Sequence, residues 1–310
     1  MAKRRKKGRP VSGWLIIDKA YDFGSTEAVS KVKWLYQAQK AGHAGTLDPL
    51  ATGVLPIALG EATKTAAFVM DAQKHYRFTA RWGEARSTDD AEGEVIATSD
   101  KRPARDEIEA VLERFVGEID QVPPQFSAIK IGGERAYDIA RDGETVALEA
   151  RRVMIHELRL IDMPSADEAV FEAVTGKGAY VRSLVRDMAR ALETEGYVNE
   201  LRRLAVGPLR AEDGVTLADL EAMETVEQRD SALVPIANAL SGMPQAAIDG
   251  PQADKLRRGQ AAVVSPATAK GVRGEKAGVV EGVLAVLHED AIAICELDGL
   301  KLKPSRVFNA

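Results

Sequence analysis

Residues 42–64 read GHAGTLDPLATGVLPIALGEATK, and no other stretch of the chain is as informative. It combines closely spaced glycines with one carboxylate, Asp48, which stands between Leu47 and Pro49 and precedes an apolar run. A backbone that is rich in glycine makes tight turns or approaches another segment closely. A carboxylate held in such a turn is a candidate nucleophile or base. An Asp before proline is also typical of a helix cap or an Asx-turn, so the spacing alone leaves both interpretations open.

Just before this stretch, the hydrophobic pattern predicts a strand followed by a helix. Residues 14–17 form a short apolar run, which is typical of a buried strand. Apolar side chains then recur at helical spacing over residues 28–36, with Ser25 or Thr26 as the expected N-cap.

After Asp48 in the chain, the hydrophobic pattern predicts two further strands. Residues 54–59 form the first, which Pro56 should confine to a sheet edge or a bulge because proline cannot donate to the ladder. Residues 75–82 alternate cleanly, with Tyr76 on the same face as the aromatic side chains that follow it. That face predicts core packing or, alternatively, a platform on which a nucleobase stacks.

The second half of the chain continues the mixture of strands and helices. We predict a helix over residues 106–115, strands over 152–161 and 169–174, and a helix after Gly178. This last helix carries arginines four residues apart, which predict a positive stripe: Arg182, Arg186 and Arg190. The remaining sixty or so residues are short strands punctuated by glycine, the pattern of a small β-barrel.

Composition limits the class of protein. A formal net charge of -5 and a pI near 5.6 argue against a nucleic-acid binder unless the cations are concentrated on one surface. Cys295 is the only cysteine, which excludes an intrachain disulfide and a cysteine-based metal cage. No apolar stretch approaches the ~20 residues of a membrane span, so we expect a cytoplasmic protein. The acidic run at residues 89–92 lacks the spacing of a calcium loop, and no metal is expected.

Several motifs, taken in chain order, resemble those of the TruB family of tRNA pseudouridine synthases. Residues 42–64 resemble the family's signature around its catalytic aspartate. The other matching segments are residues 16–19, 74–77, 123–137, 177–182, 201–204 and 302–308. Together they cover nearly the whole chain, and their common order makes the resemblance specific. It implies a late helix at residues 201–204.

The resemblance implies an α+β fold, that of the pseudouridine synthases, with a mixed, mainly antiparallel sheet flanked by helices. This catalytic domain should span residues 11–243 and carry an inserted thumb loop at about 124–150. Residues 246–310 should form a small C-terminal β-barrel similar to PUA-type RNA-binding domains. Residues 1–10 are highly charged and are predicted to be a basic disordered tail.

The same resemblance implies the reaction: uridine 55 in the T-loop of tRNA is flipped out and isomerised to pseudouridine without a cofactor. The expected partner is the tRNA T-stem-loop, bound by the chain alone, as a monomer, with neither a protein partner nor a membrane.

Functional residues carry over position by position. Asp48 matches the catalytic aspartate, Tyr76 the tyrosine near the target base, and Arg182 the arginine that pairs with Asp48. Asp90 is expected to be a second partner of that arginine. The residues expected to line the pocket or touch the RNA are Lys19, His43, Lys64, Lys130, Tyr180, Leu201 and Arg202.

Two departures from the family pattern follow Lys19. Ala20 stands where the family usually has proline and Asp22 where it usually has glycine, so the geometry of that loop is open. The sequence also does not decide whether Asp48 attacks C1′ of the ribose or C6 of the base.

Two other functions compete with this one. One is an Asp48-dependent nucleosidase that releases free base, although the motif lacks the second carboxyl group that retaining glycosidases need. The other is a non-catalytic tRNA-binding RNA chaperone in which Asp48 is structural.

Overall fold

The structure is a computed structural model that describes residues 8–127, 130–131, 134–135, 148–274 and 278–309. Strands of two separate sheets and two short hairpins supply most of the regular structure. The strands are β1 (Gly13–Lys19), β2 (Ala41–His43), β3 (Thr52–Leu59), β4 (Lys74–Trp82), β5 (Glu84–Arg86), β6 (Val95–Thr98), β7 (Gly117–Gln121), β8 (Lys130–Ile131), β9 (Glu134–Arg135), β10 (Arg151–Ser165), β11 (Glu168–Thr175), β12 (Gly196–Val206), β13 (Leu209–Arg210), β14 (Gln245–Ala247), β15 (Ala262–Val263), β16 (Val280–Leu287), β17 (Asp290–Asp298) and β18 (Lys301–Val307).

Helices are short and lie between these strands. They are α1 (Ser25–Leu35), α2 (Ala66–Asp71), α3 (Arg105–Leu112), α4 (Val181–Ala191), α5 (Leu217–Ala222), α6 (Val226–Asp230), α7 (Ile236–Ala239), α8 (Gly250–Arg257) and α9 (Pro266–Arg273), with 3₁₀ turns at Gly60–Thr65, Glu113–Phe115 and Ala211–Asp213.

The larger sheet has nine strands in the order β1-β3-β12-β4-β11-β10-β7, with β2 beside β3 and β13 beside β12. Every pair is antiparallel except β3 and β12, which run parallel where Thr52 and Gly53 face Arg202 and Arg203. The prediction of a mixed, mainly antiparallel sheet flanked by helices is therefore confirmed.

The predicted late helix at residues 201–204 is wrong, because this segment lies inside β12. Leu201 faces Phe78 of β4, and on the other side Arg202 faces Thr52 of β3. The Leu-Arg-Arg-Leu pattern is too short to separate a helical period from a strand period. Pairing with neighbours on both sides decides in favour of the strand.

Pro56 also differs from its prediction, since β3 is an interior strand. The Pro56 carbonyl accepts a hydrogen bond from the backbone N–H of Ala44, so the Pro56 nitrogen points to that same side. On this side β3 pairs with β12 only as far as Gly53 and with β2 only from Ile57 onward. Pro56 therefore lies in a gap of the ladder, where no N–H is needed.

One apolar core lies between the sheet and helices α3 and α4. Phe78 stacks on Phe171 with ring centroids 5.4 Å apart, and Trp82 meets the edge of Phe171 at 6.3 Å. The aromatic face that was predicted for β4 is thus buried here, with half-buried Tyr76 packed against its margin.

A second core, at the other end of the sheet, packs β1 and β3 against α1. Ala28, Val32 and Leu35 supply the buried side of α1, as the helical spacing predicted. The N-cap is Gly24 and not Ser25 or Thr26, since the Ser25 hydroxyl bonds elsewhere.

The C-terminal sheet has the order β14-β16-β17-β18-β15. Its five strands curl around a core of their own with α8 and α9. Leu284, Ile294 and Phe308 nevertheless join Trp14 and Val54 in a core that both sheets share. The domain limits at residues 243 and 246 stay a prediction.

The described end of the N-terminal tail is held in place. The Arg9 N–H donates to the Gln37 carbonyl at 2.7 Å, and the Arg9 guanidinium pairs with Asp230. The expectation of disorder is therefore wrong for residues 8–10, whereas residues 1–7 lie outside the described residues. Most of the predicted thumb at 124–150 lies outside them as well.

Candidate active site

Asp48 lies in the loop between β2 and β3, and the loop is fixed from several directions. The Ser25 hydroxyl, at the start of α1, donates to the Leu47 carbonyl at 2.7 Å and accepts from the Leu47 N–H at 2.9 Å. The Ala51 N–H closes a turn onto the Asp48 carbonyl at 3.1 Å. These bonds hold the backbone and leave the Asp48 carboxylate available.

Arg203 of β12 supports the same loop from below. Its side chain is only 2% exposed, and it donates to the carbonyls of Val54 at 2.7 Å, Thr46 at 3.2 Å and Gly45 at 3.2 Å. The guanidinium thus fills the gap between β12 and β2. Beside it, Gly53 has φ +96, and a Cβ there would lie 2.2 Å from the Arg203 carbonyl. Glycine is needed for this close contact of β3 and β12.

Lys19 was expected to line the pocket or touch the RNA, and of these two roles the structure disagrees with direct RNA contact, because the side chain supports the loop from inside. The residue is 1% exposed, and its ammonium donates to the carbonyls of Ala20, Phe23 and Pro49 at 2.8 to 2.9 Å. All three N–H donors are therefore occupied by the backbone. Burial lowers the pKa of Lys19 to about 8, against the opposing effect of the Asp48 charge. In this structure Lys19 positions two loops and is not open to an RNA.

Above the loop, Arg182 brings Asp48 and Asp90 together. Its Nε lies 3.0 Å from Oδ2 of Asp48, and its Nη1 lies 3.5 Å from Oδ2 of Asp90. The guanidinium also donates to the carbonyls of Thr88 at 3.1 Å and Phe126 at 2.9 Å. The Arg182 side chain is 6% exposed, whereas that of Asp48 is 36% exposed. A buried cation therefore holds a carboxylate that still faces solvent.

The predicted positive stripe on α4 is only partly open. Arg186 pairs with Asp89 at 2.8 Å and donates to the Val122 carbonyl at 2.7 Å, while Arg190 alone is mainly exposed. The stripe prediction is wrong for Arg182 and Arg186, because carboxylates on the neighbouring loop neutralise both of them.

Tyr180 caps the N-terminus of α4 and is fixed through its backbone. Gln121 accepts from the Tyr180 N–H at 2.8 Å and donates to its carbonyl at 3.2 Å. Burial raises the pKa of Tyr180, and the negative charge of Asp48 adds to the effect.

Tyr76 lies directly opposite Arg203 in the ladder between β4 and β12. Side chains that are directly opposite share a face of the sheet, so the Tyr76 ring lies on the side from which Arg203 reaches the Asp48 loop. The ring is half-buried at the edge of the aromatic core, and so part of it stays accessible.

A groove of about 540 Å³ follows β12 beside the loop. Two of the expected RNA-contacting residues line it, Leu201 and Arg202, together with Tyr21 and Leu50. Arg202 is held by Asp18 through two hydrogen bonds of 2.8 and 2.9 Å.

The other expected contacts lie on three different elements. His43 ends β2, two residues before Gly45. Lys64 pairs with Glu61 at 2.6 Å and donates to the Val307 carbonyl at 2.8 Å, so its contacts lie where the C-terminal strand meets the larger domain. Lys130 belongs to β8, but its side chain lies outside the described residues. The RNA-binding roles of these three residues stay predictions.

Sequence reasoning missed the residues that hold the site in place. The sequence predicts Ser25 as a helix cap, and no pattern in it assigns a role to Arg203 or Gln121. Each acts on backbone groups of distant segments, so no local spacing signals it. Among the described residues no group of three His, Cys, Asp or Glu side chains could hold a metal ion. In the same part of the chain, no helix is long and apolar enough to cross a membrane.

The arrangement presents the Asp48 carboxylate to solvent from a supported loop, which is what a nucleophile toward an incoming carbon atom requires. Asp48 is oriented by Arg182 at 3.0 Å, and its loop is immobilised by Lys19 and Arg203. A buried guanidinium beside a carboxylate attracts it and limits the positions that it can occupy.

Comparison with known proteins agrees with this geometry. The family description "TruB family pseudouridylate synthase (N terminal domain)" matches residues 33–181, and "tRNA pseudouridylate synthase B C-terminal domain" matches residues 182–241. The chain is 52% identical to a tRNA pseudouridine synthase B of Agrobacterium fabrum, covering 98% of this chain and 97% of the relative. It is 51% identical to that of Brucella ovis, covering 100% of both.

Among solved structures, the chain is similar to the one titled "Crystal Structure of a Cbf5-Nop10-Gar1 Complex". The TM-score is 0.72 at 24% identity, over 96% of this chain and 85% of the other. This likeness shows the pseudouridine synthase fold.

Proposed function

Because this chain belongs to the TruB family of pseudouridine synthases, we propose that it isomerises uridine 55 in the T-loop of tRNA to pseudouridine. The contact between Arg182 and the solvent-facing carboxylate of Asp48 carries the proposal. A surface Asp usually has no such partner, whereas this one is paired with a buried guanidinium and keeps an open approach from solvent.

The target base must first leave its stack. Flipping a nucleotide out of a folded loop costs a few kcal/mol of unstacking, part of which an aromatic ring recovers. Tyr76 offers that ring, at the accessible edge of the aromatic core. The groove lined by Leu201 and Arg202 offers room for the neighbouring nucleotides.

Asp48 then acts as the nucleophile, at C1′ of the ribose or at C6 of the base. If it attacks C1′, N1 leaves as the Asp48–C1′ bond forms, and Asp48 leaves as C5 takes its place. If it attacks C6, the Asp48–C6 bond breaks again after the base has turned, and the carboxylate is regenerated. The bond between N1 and C1′ breaks, the base turns, and a bond between C5 and C1′ forms. The proton on C5 is lost and N1 gains one, so the product is an isomer and the step needs no cofactor. Tyr76 is the proposed group that assists proton removal, directly or through water, and Asp90 shares Arg182 with Asp48.

The direct test uses an unmodified T-stem-loop RNA and maps pseudouridine after incubation. The unsubstituted chain should convert one uridine. Asp48→Asn should lose turnover by at least about 10⁴-fold, since it removes the nucleophile, while RNA affinity stays within about threefold. Asp187→Asn, on the same helix as Arg182, is the matched control and should keep full turnover.

Other outcomes identify the competing functions. Free uracil in place of pseudouridine would identify a nucleosidase. Tight RNA binding without any conversion by the unsubstituted chain would identify an RNA chaperone. Turnover that survives in Asp48→Asn would remove Asp48 from the mechanism.

We also propose that the chain acts on tRNA without a protein partner, as a monomer in the cytoplasm. The single cysteine, Cys295, is consistent with a reducing compartment, because it is buried and burial raises its pKa to about 12, as expected for an inert core thiol.

A further inference from the structure

Gln121 holds the start of α4, and the proposed reaction gives it no role. It ends β7, where it pairs with Arg151 of β10, and it is 2% exposed. Its side-chain amide accepts from the Tyr180 N–H at 2.8 Å and donates to the Tyr180 carbonyl at 3.2 Å. Both ends of one amide are therefore bound to the backbone of a single residue on another element.

Tyr180 is the N-cap of α4, and its own side chain makes no capping hydrogen bond. In a capping box, the side chain at the third helical position accepts from the N–H of the N-cap. Ser183 occupies that position here, but its hydroxyl donates to the Val122 carbonyl at 2.8 Å. Gln121 accepts from the Tyr180 N–H in its place, and so it fixes the helix start from outside the helix.

The Tyr180 carbonyl also takes part in the helix itself. It accepts from the Leu184 N–H at 3.0 Å, the first hydrogen bond of α4, and Gln121 donates to the same oxygen. A carbonyl oxygen has two lone pairs, so both bonds form together. Gln121 therefore binds the peptide group from which the helix begins.

The chain after Gln121 stays against the same turn of α4. Arg182 donates to the Phe126 carbonyl at 2.9 Å, and Ser183 reaches Val122 as described above. The two prolines at 123–124 have no N–H with which to join a ladder. Side chains of α4 therefore replace backbone pairing in this segment, and Gln121 is the point at which the segment leaves the sheet.

Arg182, two residues after Tyr180, shows why the start of α4 matters. Its Nε lies 3.0 Å from Oδ2 of Asp48, and its Nη1 lies 3.5 Å from Oδ2 of Asp90. A misplacement of about 1 Å can cost a catalytic site about 10²-fold in rate. Because β7 belongs to the sheet, Gln121 ties the position of Arg182 to the sheet.

A buried amide needs hydrogen-bond partners in any protein, and a glutamine that only stabilises the fold would also satisfy that need. Two observations favour a more specific role for Gln121. Both of its bonds go to one residue, and that residue lies two positions before Arg182. Among the described residues, no hydrogen bond joins Gln121 to Arg182 directly, so its effect on the guanidinium passes through the backbone of α4.

We propose that Gln121 is a positioning residue of the active site, which fixes the start of α4 and thereby the direction in which Arg182 meets Asp48. Gln121 touches neither the RNA nor the reacting atoms. The inference rests on the proposed function for the reaction by which it is measured.

The experiment measures kcat and KM on T-stem-loop RNA in Gln121→Met, which keeps a side chain of similar length and removes both hydrogen bonds. We expect kcat to fall by about 10- to 100-fold, because Arg182 is no longer held in place. KM should stay within about threefold, because Gln121 is buried away from the RNA. Gln245→Met is the matched control. It removes a glutamine bond to the Ala237 carbonyl, at 3.3 Å and away from α4, and should keep full kcat.

A double-mutant cycle with Arg182→Lys separates positioning from general support of the fold. If Gln121 acts through Arg182, adding Gln121→Met to Arg182→Lys should change kcat by less than about threefold. Urea unfolding identifies conditions under which all of these proteins are folded. Gln121→Glu is the conservative variant. Its carboxylate still accepts from the Tyr180 N–H, so it should lose less kcat than Gln121→Met.

A kcat of Gln121→Met within about threefold of the unsubstituted value would overturn the proposal. Equal losses with and without Arg182→Lys would also overturn it, since that is the result expected of a glutamine that only stabilises the fold. If either result appears while the unsubstituted chain converts the T-stem-loop, this inference alone fails. If the unsubstituted chain converts no uridine, the proposed function fails and this inference fails with it.

Discussion

Two buried arginines flank the Asp48 loop, and their surroundings differ. Arg203, below the loop on β12, donates to three backbone carbonyls and forms no ion pair with a described residue. Arg182, above it on α4, meets two carboxylates, one of which is open to solvent. The same side chain thus fixes a backbone in one region and directs a reactive group in the other.

The difference shows what makes a buried cation functional. A guanidinium surrounded by neutral carbonyls is satisfied when the chain folds, and no ligand changes its contacts. A guanidinium that shares an exposed carboxylate still acts on whatever approaches that carboxylate. Burial of the cation is the same in both regions, so the exposure of its partner is the informative quantity.

The largest expected effect comes from Arg182→Lys. An ammonium cannot serve Asp48, Asp90 and two carbonyls at once, because it lacks the planar fork of the guanidinium. We expect kcat on a T-stem-loop RNA to fall about 10³-fold with KM changed only a few fold. Arg190→Lys, an exposed arginine of the same helix, is the control. A kcat within tenfold of the unsubstituted value would show that Arg182 is no more functional than Arg203.

Arg203→Met tests the other region, where we expect a loss of stability. Three carbonyls lose their charged donor, and the free energy of unfolding should fall by about 3 kcal/mol. Urea unfolding measures it directly. A variant that keeps full stability but loses turnover would reverse the comparison, because Arg203 would then act on the chemistry and not on the fold.

Lys19, on the same side of the loop as Arg203, gives a smaller effect that depends on pH. Its pKa is lowered from 10.5 to about 8 by burial, so between these values the unfolded chain binds more protons than the folded one. The contribution of Lys19 to the free energy of unfolding therefore rises with pH across this window.

Urea unfolding at pH 7.5 and 9.5 checks this prediction for Lys19. The increase in stability should be smaller in Lys19→Met than in the unsubstituted chain, by on the order of 1 kcal/mol. Lys303→Met, at an exposed strand position, is the control and should keep the full increase. Equal increases in all three proteins would mean that Lys19 carries no burial penalty and supports the loop less directly than Arg203.

The contrast between these regions also explains how far the sequence alone could lead. The elements around Asp48 were predictable, because apolar spacing in β1, α1 and β4 is a local signal. The pairing of Asp48 with Arg182 came only from family resemblance, since these residues are far apart in the chain and nothing local connects them.

The supports of the loop were not predictable in the same way. The partners of Ser25, Lys19 and Arg203 are backbone carbonyls, which every residue carries and no sequence pattern marks. The error at residues 201–204 has the same origin. A segment of four residues fits the repeat of a helix as well as that of a strand. Only the neighbouring strands on both sides of Arg203 make this segment a strand.

The smallest expected effect comes from Arg202, the neighbour of Arg203 on the opposite face of β12. Arg202 forms two hydrogen bonds to Asp18, and the two side chains are 40% and 27% exposed, so this partly solvated ion pair should contribute about 1 kcal/mol or less. We therefore expect the free energy of unfolding of Arg202→Gln to lie within about 1 kcal/mol of that of the unsubstituted chain.

If Arg202 contacts a phosphate, T-stem-loop binding should weaken a few fold with a slightly flatter salt dependence. Asp18→Asn separates the two effects, because it frees the guanidinium while leaving it in the groove. Arg202→Gln could instead lose as much stability as Arg203→Met. The two adjacent arginines would then stabilise the fold equally, although they lie on opposite faces of β12. In that case the exposure of an arginine's partner would not tell a structural arginine from a functional one.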